Sequence, residues 1–221
     1  MIEENVKRLL GELPEGVTLL AAAKERSADE ISRAIKAGIT MIGENYLQDT
    51  LKVINEVEGD AEWHFIGHLQ RNKVKKVIEI FDMIESVDSL RLAEEIEKCC
   101  ERKGKIMPIL IEVNSGEEAQ KSGVAPKEVA PLIGEISSFR HIKIMGLMTI
   151  GPRFGDPEES RPYFRKTKEI FEQIKDLHLY NIEMRCLSMG MTNSYKIAIE
   201  EGANVVRIGI RIFGEREGSK H

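Results

Sequence analysis

The chain has 221 residues, with 32 Lys and Arg against 37 Asp and Glu and a formal net charge of −5. That length suits one large domain or two small ones with a sizeable core, and the acidic balance argues against a dominant nucleic-acid surface. Three cysteines with no CxxC pair exclude a disulfide framework and the usual zinc spacing, and no apolar run nears the roughly 18 residues that span a bilayer.

Taken in chain order, the N-terminus "MIEENVKRLL" is polar and mixed in charge, unlike a signal peptide. A cytoplasmic protein with no membrane and no nucleic-acid partner is therefore expected. "EENVKRLLGEL" has a helical pattern, and "VTLLAAA" follows as the first apolar run. Ser27 and Glu30 have capping-box spacing, Ile31 and Ile35 lie one turn apart, and Gly38 supplies a stop. "TMIG" and "WHFIG" are the next apolar runs. In "QRNKVKKVIEIF", Val74, Val77, Ile78 and Phe81 form one stripe. After "MIESV", Asp88 is placed to cap a helix carrying Leu92, Ala93, Ile96 and Cys100. "MPILIEV" precedes a helix with Pro126 in its first turn and Val129, Ile133 and Ile136 on its inner face. "IKIMGLMTI" precedes a helix lined by Phe164, Thr167, Ile170, Phe171, Ile174 and Leu177, with Pro162 in its first turn or at a kink. "EMRCLSM", the helical "TNSYKIAIEEGA" and the final run "VVRIGI" complete the chain.

Eight strand-like runs, mostly apolar throughout rather than alternating, point to a parallel sheet covered by helices. The repeat predicts an α/β fold, a single-domain (β/α)₈ TIM-type barrel over residues 1–221, with an extra N-terminal helix covering the face an eighth helix would take. An open doubly wound sheet is the alternative, because alternation alone does not establish closure.

In such a barrel, function sits at the C-terminal ends of the strands. Lys24 closes the first strand there. A strand-end lysine can snorkel into water, or it can be an amine that forms a Schiff base. Asn45 follows the second strand. The seventh strand runs into "SMGMTNS", where Ser188, Thr192, Asn193 and Ser194 offer hydrogen bonds, Gly190 permits close approach, and Thr192 can mark a helix N-terminus. This is either an ordinary loop and cap or an anion site. In "VRIGI", Arg207 supplies charge and Gly209 exposes the backbone. A Schiff-base lysine opposite a phosphate pocket is the layout that pyridoxal 5′-phosphate requires. His64 and His68 lack the companions of a metal site, so no metal is expected, and His64 is expected to pack or to edge the pocket. Glu44 and Glu112 sit near backbone turns and are not read as catalytic. The basic run from Arg71 to Lys76 reads as a solvated face.

The segments "GENYLQ", "EWHFIGHLQRNK", "SVDSLRLAEEI", "EVNSGEEAQKSG", "GLMTI", "RPYFRK", "LSMGM" and "VRIG...IFGER" resemble the pyridoxal phosphate homeostasis protein family, which is related to the N-terminal barrel of alanine racemase. The resemblance runs from about residue 20 to residue 216 and implies an alanine racemase N-terminal-domain-like barrel. It implies pyridoxal 5′-phosphate held covalently on Lys24, with Thr192, Gly209 and Ile210 at the phosphate, Arg207 at the pyridine nitrogen and Asn45 beside the ring. Together with Ser188 these are the cofactor-binding candidates, and no residue is assigned a catalytic role. Glu25-Arg26 departs from the family's usual pair after the lysine. Thr192 stands where serine is usual, and Ile210 stands where a small hydroxyl residue is common, so the resemblance implies one phosphate hydrogen bond fewer and a weaker phosphate affinity is expected. The implied function is a carrier of pyridoxal phosphate, expected to be monomeric, with pyridoxal-phosphate-dependent apoenzymes as possible recipients. A weak amino-acid racemase is the alternative, and a cofactor-free Schiff-base aldolase is a third. The resemblance supplies no C-terminal domain to bring the tyrosine that alanine racemase uses on the second face of its substrate. Tyr46 is the tyrosine nearest the expected site.

Overall fold

The computed structural model describes residues 1–118, 120–152, 155–177 and 179–215. Ala119 and Arg216, which belong to two of the family-like motifs, lie outside the described residues. Eight parallel strands close into a barrel in sequence order: β1 (Thr18–Ala22), β2 (Met41–Glu44), β3 (Glu62–Phe65), β4 (Met83–Val87), β5 (Met107–Val113), β6 (Ile142–Thr149), β7 (Ile182–Ser188) and β8 (Val205–Ile208). The β1–β8 ladder, running from Thr18 opposite Val205 to Ala21 opposite Ile208, makes the closure. The open-sheet alternative is thereby excluded.

The helices are α1 (Ile2–Glu12), α2 (Ala28–Lys36), α3 (Leu47–Val53), α4 (Val74–Ile80), α5 (Leu90–Lys103), α6 (Val129–Ile136), α7 (Arg161–Lys175), α8 (Tyr195–Glu200) and α9 (Ile210–Phe213). The capping box of α2 forms as the spacing predicts, with Glu30 N donating to Ser27 Oγ and Ser27 N donating to Glu30 Oε2. α1 packs on α2 and α9 and buries Val6 and Leu9, so it covers the flank that a full-length eighth helix would otherwise cover. Pro162 lies in the first turn of α7, which a single 3₁₀ turn over Pro157–Ser160 leads into.

Two boundaries differ from the sequence reading. Asp88 does not cap α5: Ser89 holds the N-cap position, no side chain makes a cap bond, and Asp88 instead accepts from Ser89 Oγ at 3.1 Å. Thr192 does not begin α8. It lies in a turn, and the helix starts at Tyr195 behind Ser194, because the amides of Ser194 and Tyr195 both close back on Met191 O.

Strand alternation sorts the side chains into two environments. Along β1 and one residue past its end, Leu19, Ala21 and Ala23 join the large core between sheet and helices, whereas Leu20 packs with Ile66 and Val205 in a separate cluster inside the barrel. Met83, Leu110 and Met148 form a second interior cluster. Barrel interiors are usually filled by layers of branched apolar side chains. Here the two interior clusters are small, and the remaining space is polar.

Candidate functional site

Barrel connectivity brings the ends of β1, β2, β7 and β8 together at the C-terminal face. A cavity of about 500 Å³ opens there, lined among others by Lys24, Asn45, Thr192, Arg207, Gly209 and Ile210. Six of the seven candidate residues from the sequence therefore share one cavity of ligand size. Ser188, the seventh, does not line it. Its fully buried hydroxyl donates to Glu85 Oε2 at 2.7 Å and accepts from Arg207 Nη1 at 2.7 Å, so it sits beneath the floor as a link between those two residues.

Lys24 stands two residues beyond β1, on a turn where Glu25 has φ of 61°. Its side chain is about one quarter exposed, with Nζ 3.8 Å from Glu25 Oε1 and 4.9 Å from the Tyr46 ring centroid. An ammonium on an aromatic face is held by the ring's quadrupole, while its position at the cavity wall leaves it reachable. Tyr46 alone of the four tyrosines lines this cavity; Tyr195 donates to Glu12 Oε2, and Tyr180 is almost fully exposed.

Arg207 points inward from β8 and is buried. Nη1 donates to Ser188 O at 2.8 Å and to Ser188 Oγ, and Nη2 donates to Thr149 O at 2.8 Å. Three hydrogen bonds and the packed interior fix the guanidinium plane at the cavity floor. Burial lowers its proton affinity, and the charges of Glu85 and Glu112 offset part of that.

Glu85, in the middle of β4, carries this arrangement further into the barrel. Oε1 lies 2.7 Å from His64 Nδ1. Burial alone would raise the Glu85 carboxyl, but hydrogen bonding and charge from His64, with Arg207 and Ser188 adding, hold it below the ordinary range. Burial alone would lower His64, but Glu85 and then Glu62 lift it above an ordinary imidazole. The two form a buried ion pair. His64 thus packs beneath the pocket and does not edge it. Sequence reasoning did not pick out Glu85. The available signal was a carboxylate in the centre of "MIESV", whose five residues are all buried, because such a group must find a partner inside.

Arg26, a departure from the family pattern, also lines the cavity. It ties the loop after β1 to the segment after β8, donating to Phe213 O and Gly214 O and pairing with Glu30. A second, smaller cavity of about 230 Å³ adjoins the first, sharing Asn45, Ile66 and Ile150, and Glu112 lines it. Glu112 is buried, which pushes its carboxyl up to about 7; Asp88 acts in the same sense and Arg207 against it. Glu44 is buried on the helix side of β2, with its carboxyl pushed up to about 8.

The donor set is chemically specific. A primary amine stands at the wall and a fixed guanidinium at the floor. Thr192 brings a hydroxyl to the lining of the same cavity as the start of α9, where the Ile210 and Arg211 amides precede the first internal bond of that helix, from Ile212 N to Gly209 O. Tyr46, Ile66, Ile150 and Ile210 supply apolar walls. These residues fit a flat aromatic ligand with a carbonyl for the amine and an anionic arm for the hydroxyl and amides. Among the described residues, no group of three or more His, Cys, Asp and Glu is placed to hold a metal.

The family model described as alanine racemase, N-terminal domain, matches residues 1–217. A relative from Aquifex aeolicus named pyridoxal phosphate homeostasis protein is 41% identical over 200 residues, covering 90% of this chain and 87% of the relative. One of the same name from Mus musculus is 33% identical, covering 99% and 84%. Among solved structures, PipY of Synechococcus elongatus with PLP bound superposes with a TM-score of 0.89 at 30% identity, over 97% of this chain and all of PipY. An alanine racemase of Clostridium difficile superposes with a TM-score of 0.76 at 16% identity, over 99% of this chain and 56% of that enzyme. That last likeness is one of fold.

Proposed function

The chain belongs to the alanine racemase N-terminal domain family, in its pyridoxal phosphate homeostasis branch, and from that footing we propose that it binds pyridoxal 5′-phosphate as a carrier, covalently through Lys24. The observation that carries the reading is the single cavity shared by Lys24, Asn45, Thr192, Arg207, Gly209 and Ile210. When bound, pyridoxal phosphate supplies an aldehyde electrophile and an electron-withdrawing ring.

The protein's own residues divide the work. Lys24 supplies the amine for a Schiff base. Thr192 and the amides at Gly209 and Ile210 hold the phosphate, and Asn45 lies beside the ring. Arg207 faces the pyridine nitrogen, positioned from below by Ser188. A guanidinium cannot accept the nitrogen's hydrogen bond and opposes a second positive charge there. The ring is then a weak electron sink, which suits holding the cofactor better than turning over amino acids. The three cysteines are all free, in keeping with a reducing, cytoplasmic setting. Among the described residues, no helix is long and apolar enough to cross a membrane. The carrier acts as a monomer and hands its cofactor to apoenzymes.

The deciding experiment is the visible spectrum of protein loaded with pyridoxal phosphate, followed by borohydride reduction and peptide mass mapping. A yellow protein with the reduced adduct on Lys24 is expected. An adduct on another lysine overturns the attachment point, and a colourless protein that takes up no pyridoxal phosphate overturns the function.

A further inference from the structure

We propose that Glu85 is a positioning residue for Arg207: by bridging His64 to Ser188 it fixes the guanidinium and sets the field that the guanidinium presents to the cavity floor. The inference rests on the reading above, that pyridoxal phosphate lies over Arg207.

The geometry is a continuous line across the barrel interior. Glu62, at the start of β3 and largely exposed, has Oε2 3.5 Å from His64 Nε2. His64 Nδ1 meets Glu85 Oε1 at 2.7 Å, Glu85 Oε2 accepts from Ser188 Oγ at 2.7 Å, and Ser188 Oγ accepts from Arg207 Nη1 at 2.7 Å. His64, Glu85, Ser188 and Arg207 are each at most 5% exposed. Four strands contribute one residue each, and the line ends at the cavity in one direction and near solvent, through Glu62, in the other. His64 Nε2 makes no hydrogen bond of standard geometry and is buried. Its proton can therefore exchange towards Glu62, at the end of the barrel remote from the cavity.

A buried ion pair is a poor device for stability alone, since apolar side chains of similar volume commonly serve as well. Its value here is directional. The anionic end of the pair abuts Ser188 and Arg207, and the cationic end is turned away. Glu85 thus attenuates the positive field of Arg207 where a ring nitrogen would sit, while the pair as a whole adds no net charge. Among the described residues, the other ionisable groups acting on this line are Glu62 on β3, Glu112 on β5 and Cys186 on β7.

The two halves of the pair therefore have opposite effects. Glu85→Gln removes the anion beside Arg207, and His64, losing its partner, gives up its proton. The guanidinium then acts on the cofactor with less compensation, and a proton on the cofactor is held less tightly. His64→Gln leaves the carboxylate without its cation, and the cofactor proton is held more tightly.

The test is a pH titration of the visible absorption of the pyridoxal-phosphate-loaded chain. Glu85→Gln is expected to lower the midpoint by about half a unit to one unit, and His64→Gln to raise it by a similar amount. Ser188→Ala keeps the charges, cuts the hydrogen-bonded link, and is expected to lower the midpoint less; it decides the matter if Glu85→Gln does not fold. Midpoints within about 0.2 unit of the wild type in all folded variants, or shifts of the same sign for Glu85→Gln and His64→Gln, overturn the proposal. Two readouts need no cofactor: the NMR titration of His64, expected to fall by at least about one unit in Glu85→Gln, and hydrogen exchange at the Arg207 guanidinium, expected to quicken about tenfold or more. If the wild-type chain binds no pyridoxal phosphate, the proposed function fails, and these two measurements still decide whether Glu85 holds Arg207.

Discussion

Replacing Glu44 with Gln should leave stability nearly unchanged in mild acid and raise it strongly in alkaline buffer. The Glu44 side chain is 1% exposed, its Oε2 has no hydrogen-bond partner, and burial, with the charge of Asp49 added, pushes its carboxyl from 4.5 up to about 8. Between those two values the folded chain holds a proton that the unfolded chain has released. Stability therefore falls as pH rises, by about 1.4 kcal/mol per unit, over the whole interval and levels off above the folded-state value. The span of about 3.5 units gives a ceiling of about 5 kcal/mol, and structural relaxation around the ionised group should reduce it to about half. Glutamine matches the protonated acid in shape and cannot ionise, so it removes this loss. For a domain of this size, about 1 kcal/mol moves the melting temperature by about 2–4 °C. The variant should thus melt within about 2 °C of the wild type at pH 5 and about 5–10 °C above it at pH 9. Calorimetric melts at intervals over that range provide the assay. Melting curves that stay parallel from acid to alkali would refute the reasoning, since they would mean that Glu44 ionises in the folded chain as readily as in the unfolded one.

Thr192→Ala should weaken pyridoxal phosphate binding by about 0.5–1.5 kcal/mol, the usual value of one hydrogen bond, as measured by fluorescence titration; unchanged affinity removes Thr192 from the site. Gly67→Ala should loosen the site from behind, because a Cβ there would lie 2.2 Å from the backbone oxygen of Asn45; both cofactor affinity and melting temperature should fall, and a loss of stability alone would count against Asn45 as a ligand. Gly146→Ala should be far more damaging, with its Cβ 1.8 Å from Cys186 O and φ at 151°, and little folded protein should be recovered in a soluble-expression assay. Racemisation of alanine or serine should stay well below about 1 per second in a coupled assay, and a faster rate abolished by Lys24→Ala would promote the enzyme reading.

Much of this fold was legible because each strand is an uninterrupted apolar run and each helix an apolar stripe, both of which are local properties. That Lys24, Asn45, Thr192 and Arg207 would line one cavity was legible for a related reason: in a parallel barrel every strand end reaches the same face, so strand order alone brings them together. The failures have a different origin. A threonine before a helical run has cap chemistry and predicts a start of α8 at Thr192, but the Met191 carbonyl captures the amides of Ser194 and Tyr195 and the helix begins at Tyr195. Ser188 opens a polar loop, and that pattern predicts a hydrogen-bond donor to the ligand. Alternation turns it inward onto Glu85, 103 residues away, and no local pattern encodes a partner at that separation. Glu85 itself was visible as a carboxylate in an apolar strand, but His64, 21 positions earlier, becomes its partner only when β3 and β4 lie side by side.

The polar interior also bears on what the barrel can tolerate. Across the floor of the cavity, His64, Glu85, Ser188 and Arg207 occupy volume that branched apolar side chains fill in an ordinary barrel. Removing one member leaves the others desolvated and unpaired, which is costlier than the pair was valuable. Fixing Arg207 therefore makes the interior intolerant of single changes, while the sheet–helix core carries the stability: the fully buried Val6, Ile31, Ile78, Ile96, Ile133 and Phe164, one from each of six helices, pack against the outer face of the strands. The division places the stabilising contacts outside the barrel wall and the charge-fixing contacts inside it, so a substitution such as Ile96→Val should lower the melting temperature without moving the spectrum of a bound cofactor, whereas Glu85→Gln should alter the spectrum at any temperature at which the chain remains folded.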